Sequence, residues 1–123
     1  MNSKKKLKDE YKQKKIRMGV FQIRNIINGK LYLGSSLNLN AIWNRNRVEL
    51  NFGNHRNVVL QSEWKEYGEE NFTYEILGEI EQRDGDKINY SSEIKILEEM
   101  FIEELEPFDE NGYNGKKNEY DTK

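Results

Sequence analysis

Apolar positions along the chain follow two rhythms, one of strands and one of helices. Gly19 to Ile27 is dense in β-branched and aromatic residues, and Lys30 to Gly34 resumes the same pattern after Asn28-Gly29. Asn-Gly supplies the two positive φ angles of a type I′ turn, so this stretch predicts a β-hairpin. Leu37, Leu39, Ile42, Trp43 and Val48 then shift to helical spacing and predict a helix from about Asn38 to Leu50. The turn-rich stretch 51–57 (NFGNHRN) follows as a loop. Val58, Val59, Leu60, Trp64 and Tyr67 mark a second helix, with Gly68 at its C-cap position. Phe72, Tyr74, Ile76 and Leu77 mark a third strand. Residues 81–90 read as a polar loop. Ser91 or Ser92 is the expected cap of a third helix that runs to about Glu106, where Pro107 stops it.

The order is therefore β-β-α-α-β-α. The expected fold is a small α/β (α+β) domain, a three-stranded sheet flanked by helices, over residues 18–114. A basic arm (1–17) precedes it and a polar tail (115–123) follows. The arm reads either as a solubilising extension or as a segment that follows a phosphate backbone.

One position breaks its own pattern. Ile94, Leu97, Phe101 and Leu105 form the apolar stripe of the last helix, and Glu98 lies on or beside that stripe. A carboxylate there costs free energy unless it reaches water, pairs, or binds a cation. Glu98 is thus either a boundary residue or a divalent-cation ligand, and oxygen donors suit magnesium. Glu99, Glu103, Glu104 and Glu106 read as a solvated face.

Composition narrows the chemistry. The chain has no cysteine and one histidine, His55. Thiolate metal sites, disulfides, cysteine nucleophiles and any mechanism needing two imidazoles are excluded. No apolar run approaches the ~20 residues that span a bilayer. The basic N-terminus lacks the apolar segment of a secretory signal, so a cytoplasmic protein is expected, with no membrane partner. Lys, Asn, Ile and Glu are abundant, while alanine and proline occur once each. An AT-rich genome, such as many phages and mobile elements have, encodes that kind of composition.

The net charge of −2 conceals a division. Residues 1–60 carry 13 Lys/Arg against 3 Asp/Glu, and residues 61–123 carry 7 against 19. Candidate nucleic-acid contacts in the basic half are Lys4, Lys5, Lys6, Arg17, Arg24, Arg45, Arg47 and Arg56. The acidic half fits a basic protein partner equally well.

Gly19-Val20-Phe21, ten residues, and then Tyr32-Leu33-Gly34-Ser35 resemble the signature hairpin of the GIY-YIG nuclease family. Leu39 with Ile42-Trp43 looks like that family's Leu-x-x-Arg-Trp helix. Leu60-Gln61, Gly68, Phe72, Ile76 and Leu77 are similar to its second helix and third strand. Asn111-Gly112-Tyr113-Asn114 resembles the closing segment of phage homing-endonuclease catalytic domains. The resemblance spans residues 18–114. It implies hydrolysis of DNA phosphodiesters with one divalent cation, Mg²⁺, held at Glu98. It also implies roles for two motif tyrosines, an arginine, a histidine and the closing Asn114, with Gly19 and Gly34 as structural motif positions.

The implied set is incomplete. Tyr32, Glu98 and Asn114 are present, but Phe21 stands for the first tyrosine and Ile42 for the arginine. Asn46 stands where homing-endonuclease relatives often carry histidine. Losing one preorganised donor typically costs about 10²–10³ in rate. Arg45 lies three residues after Ile42, and His55 follows in the loop, so either is a candidate replacement group. The leading expectation is a catalytically impaired nuclease-like protein that binds DNA or a basic nucleic-acid-processing protein. One form of it is an inhibitor that a phage or mobile element directs at host defence. The alternative is an active metal-dependent endonuclease with a rearranged site. Without a second DNA-binding domain, sequence specificity would come from a partner or be absent. Aromatics expected at the surface, such as Phe52 and Phe108, leave monomer and dimer both open.

Overall fold

The computed structural model describes residues 16–83 and 88–115. The lysine arm, including Lys4, Lys5 and Lys6, lies outside them, as does the tail from 116. Three strands, β1 (Met18–Asn25), β2 (Leu31–Ser36) and β3 (Phe72–Ile80), form one antiparallel sheet in the order β2-β1-β3. Among the described residues three α-helices pack with it: α1 (Leu39–Phe52), α2 (Val58–Tyr67) and α3 (Tyr90–Leu105). The architecture agrees with the order expected from sequence. Among the described residues no helix is long and apolar enough to cross a membrane.

β1 is the central strand, and all its residues except Arg24 are buried. Its near-continuous apolar run follows from being covered on both faces. Phe21 and Ile23 face α1 and α2, where they join Leu39, Leu50, Leu60, Trp64, Phe72 and Tyr113 in the main core. Val20 pairs with Gly78, and a side chain at Gly78 would meet Phe101 and Leu97 of α3. The sheet is therefore sandwiched between α1/α2 and α3. Trp43 stacks on Tyr74 with centroids 4.7 Å apart, and the Tyr74 hydroxyl donates to the Leu39 carbonyl at 2.7 Å. Burial raises that phenol to about 12.

Three local expectations need correction. Phe108, expected at the surface, is buried, whereas Phe52 is exposed. The hairpin turn is not type I′. It is a four-residue loop closed by Asn25 N–H to Lys30 O (2.9 Å), and only Gly29, at φ 78°, has a positive φ. Asn25 decides this: its side-chain oxygen accepts from Ile27 N–H at 2.9 Å and closes an Asx turn before Asn28-Gly29 is reached. The third helix is capped by Asn89, not by Ser91 or Ser92. Asn89 accepts from Ser92 N–H at 3.0 Å, and Asn38 and Asn57 cap α1 and α2 in the same way.

Arg17, assigned to the arm from sequence, is integrated with the domain. Its carbonyl accepts from Leu39 N–H at 2.7 Å, and its guanidinium pairs with Glu79. At the far end the Asn-Gly-Tyr-Asn segment runs beside the free edge of β2. Tyr113 N–H donates to Leu31 O at 2.8 Å. The Asn114 side chain then takes both backbone groups of Leu33, at 2.9 and 2.8 Å. Pairing on that edge stops there, and the edge beyond Leu33 opens into a cavity.

Candidate active site

A cavity of about 590 Å³ sits at this open edge. β2 contributes Tyr32, Gly34 and Ser35, and α1 contributes Ile42, Arg45, Asn46 and Glu49. The α1–α2 loop adds Arg56 and Asn57, α3 adds Glu98, and the closing segment adds Tyr113 and Asn114. Phe21 of the central strand completes the wall. Residues from β1, β2, α1, α3, the α1–α2 loop and the closing segment thus converge on one concave, largely polar site.

Glu98 faces this cavity rather than curling out to water. Ser35 Oγ donates to its Oε1 at 3.0 Å. The helical stripe carries Glu98 to the sheet, and a serine at the next turn of the edge strand makes its placement tolerable. Phe21 lies over Gly34: its Cζ is 2.7 Å from where a Cβ at position 34 would sit. Gly34 is glycine because an aromatic ring at 21 crosses it. The Phe21 and Tyr32 centroids are 6.5 Å apart.

Asn46 and His55 form a buried pair beneath the cavity. His55 Nε2 and Asn46 Oδ1 are 2.6 Å apart, and Asn46 Nδ2 donates to the Ile42 carbonyl at 2.8 Å. Asn57 N–H donates to His55 Nδ1 at 3.0 Å, so the proton of the neutral ring sits on Nε2. Both ring nitrogens are engaged, and His55 does not line the cavity. Its ring meets Tyr32 edge-on, with centroids 5.5 Å apart. Burial lowers its pKa below the ordinary histidine value. His55 therefore braces Tyr32 and the loop instead of offering a free acid or base.

The basic residues separate sharply. Arg45 and Arg56 reach the cavity. Arg17, Arg24 and Arg47 do not, and each is paired elsewhere, with Glu79, Glu75 and Glu69 respectively. Arg47 also covers the Trp43 ring. Arg45 is largely exposed and pairs with Glu49 at 3.5 Å. The sequence reading overlooked Glu49, although its spacing of four from Arg45 was visible.

A second polar cluster, also overlooked, holds the closing segment in place. Glu63 Oε1 accepts from the Tyr113 hydroxyl (2.6 Å), Asn28 (2.8 Å) and Asn25 (3.2 Å), and Lys30 approaches Oε2 at 3.3 Å. Burial alone would raise the Glu63 carboxyl, but these donors outweigh it and hold it below the usual range. Acid should therefore weaken the fold in two stages. The lowered His55 loses its contribution as pH falls below about 6.5, where the unfolded imidazole takes up a proton. Glu63 contributes fully above the unfolded carboxylate value and loses that contribution as pH falls through its own lowered value. Thermal unfolding from pH 8 to pH 3 should show both stages, and Glu63→Gln should flatten the lower one. An unchanged lower stage in that variant would mean that other carboxylates carry the acid sensitivity.

No family model matches the chain. It is 33% identical over 100 residues to intron-associated endonuclease 1 of Enterobacteria phage T4, covering 80% of this chain. It also superimposes on the catalytic domain of intron endonuclease I-TevI with a TM-score of 0.64, at 31% identity, covering 95% of that domain. A variant of the same domain matches with a TM-score of 0.66 at 30% identity, with 93% of it covered. The chain belongs to the GIY-YIG nuclease family. It spans about 37% of the length of the curated relative it matches. In this domain Tyr32, Glu98 and Asn114 line one cavity, and Phe21 and Ile42 line the same cavity with hydrocarbon.

Proposed function

We propose that this GIY-YIG domain binds the DNA phosphodiester backbone in the cavity beside β2 and that its cleavage activity is impaired. The observation that carries this reading is the presence of Phe21 and Ile42 in the cavity wall. Position 21 carries no hydroxyl and position 42 no guanidinium, in a site that still gathers a phenol, a carboxylate and an amide. Each missing donor costs about 10²–10³ in rate.

The donor set fits a single divalent cation. Among the described residues no three His, Asp or Glu side chains cluster, so Glu98 would be the main protein ligand. Magnesium commonly binds through one or two carboxylates together with water and phosphate oxygens. When bound, such a cation polarises the phosphoryl oxygen. The protein's own part is steric and electrostatic: Ser35 orients Glu98, His55 braces Tyr32, and Asn114 closes the strand edge.

Arg45 and Arg56 at the same cavity favour a second reading, an active metal-dependent DNA endonuclease with a rearranged site. Plasmid nicking with Mg²⁺ or Mn²⁺ separates the two. Impairment predicts that wild type cleaves no faster than Glu98→Ala while still retarding a DNA duplex. Cleavage well above the Glu98→Ala background would establish the second reading. Failure to retard DNA at low salt would reject both.

A further inference from the structure

Arg56 differs from every other described arginine. Arg17, Arg24, Arg45, Arg47 and Arg83 each have a carboxylate partner within 4 Å. Among the described residues Arg56 has none, and it lines the same cavity as Tyr32 and Glu98.

Its position is also built. The residues on either side of Arg56 are tied down. His55 N–H donates to Gln61 Oε1 at 2.9 Å, and His55 Nε2 meets Asn46. Asn57 N–H donates to His55 Nδ1, and its side chain donates to the Tyr113 carbonyl at 2.6 Å and accepts from Leu60 N–H at 2.9 Å. The loop backbone at 56 is therefore fixed between α1, α2 and the closing segment. The Arg56 side chain extends from it into the cavity that Tyr32 also lines. A guanidinium without a carboxylate partner, at a cavity that also contains Glu98, is suited to a phosphate oxygen. Its planar fork matches two such oxygens.

We infer that Arg56 is the phosphodiester-binding group of this cavity, entering from the α1–α2 loop to supply the guanidinium that Ile42 does not. This rests on the DNA-binding reading but is narrower than it. Arg45 is the natural competitor, but its charge is shared with Glu49.

Two probes test the assignment: a thymidine dinucleotide with one phosphodiester, and a short DNA duplex. In wild type, the dinucleotide should shift the Arg56 Nε–H and Tyr32 ring resonances in a saturable way. Arg56→Ala should abolish the Tyr32 shift, weaken duplex binding about tenfold and lower the salt slope by about one phosphate contact. Arg56→Lys should keep the slope and lose part of the affinity, because charge remains and the fork does not. Arg45→Ala should have the smaller effect. The inference is overturned if Arg56→Ala keeps the dinucleotide shift, or if duplex binding falls only in Arg45→Ala. Dinucleotide shifts at Arg56 without duplex binding would sink the DNA-binding reading and support the phosphodiester site. Binding of neither probe would remove both.

Discussion

Replacing Gly19 with alanine should lower the melting temperature by roughly 15 °C, following a loss of about 3 kcal/mol. Gly19 has φ 153°, a conformation that L side chains rarely adopt. It pairs with Glu79 at the end of β1 where the β1–β3 ladder carries a bulge between Val20 and Phe21. A Cβ at Gly19 would overlap the Gly78 carbonyl oxygen and approach its carbonyl carbon to 2.9 Å. Both obstacles are backbone, so neither can rotate away. Relief requires β1 and β3 to part, and that exposes Met18 and Val20, now 4% and 0% accessible. Gly29→Ala is the matched control. Gly29 also has a positive φ, 78°, but open space surrounds it, so only the conformational cost of about 1 kcal/mol applies. Unfolding followed by circular dichroism should separate the two by more than 5 °C. Equal losses would mean that strand contact at Gly19 is not the cause. The first glycine of the signature hairpin therefore serves packing, not chemistry.

How much of the site was legible depended on the range of the interaction. The helices and strands came from periodicity, which is local. Glu98 was found because it broke a periodicity, and its partner Ser35 already stood in the hairpin motif. The turn was misjudged because Asn-Gly was read alone. The residue that sets it, Asn25, is fully buried and bonded to Tyr113 and Glu63, distant in sequence. Asn89 was passed over for serines because capping residues compete closely and only backbone geometry selects among them. In sequence Arg56 is one of eight candidate nucleic-acid contacts with nothing to single it out. Nothing near it in sequence reports that His55 and Asn57 fix the loop, or that Tyr32 lies within reach. Conversely, Arg17, Arg24 and Arg47 looked alike in sequence and differ only in which glutamate each meets.

Phe21→Tyr combined with Ile42→Arg should raise metal-dependent DNA nicking by about 10²-fold or more over wild type. Phe21 already lies across Gly34 and packs against Tyr74, with centroids 5.4 Å apart. Its ring position is fixed, so the new hydroxyl is added at Cζ, on a ring that forms part of the cavity wall. Ile42 is half-buried, and the carboxylates of Glu49 and Glu98 at the same cavity offset part of the added charge. The single variants carry the sharper information, because groups that act as a unit are not additive. If Arg56 already supplies the phosphate-binding guanidinium, Phe21→Tyr alone recovers most of the rate, and Arg56→Ala in that background removes it. Ile42→Arg alone then adds little, since a third cation beside Arg45 and Arg56 repels both. If the site instead lacks any working guanidinium, neither single variant cleaves and only the pair does. A folded double variant with no nicking above Glu98→Ala would show that something other than these two groups limits cleavage. The rate ratio of the single variants thus reports whether this cavity lacks two groups or only one.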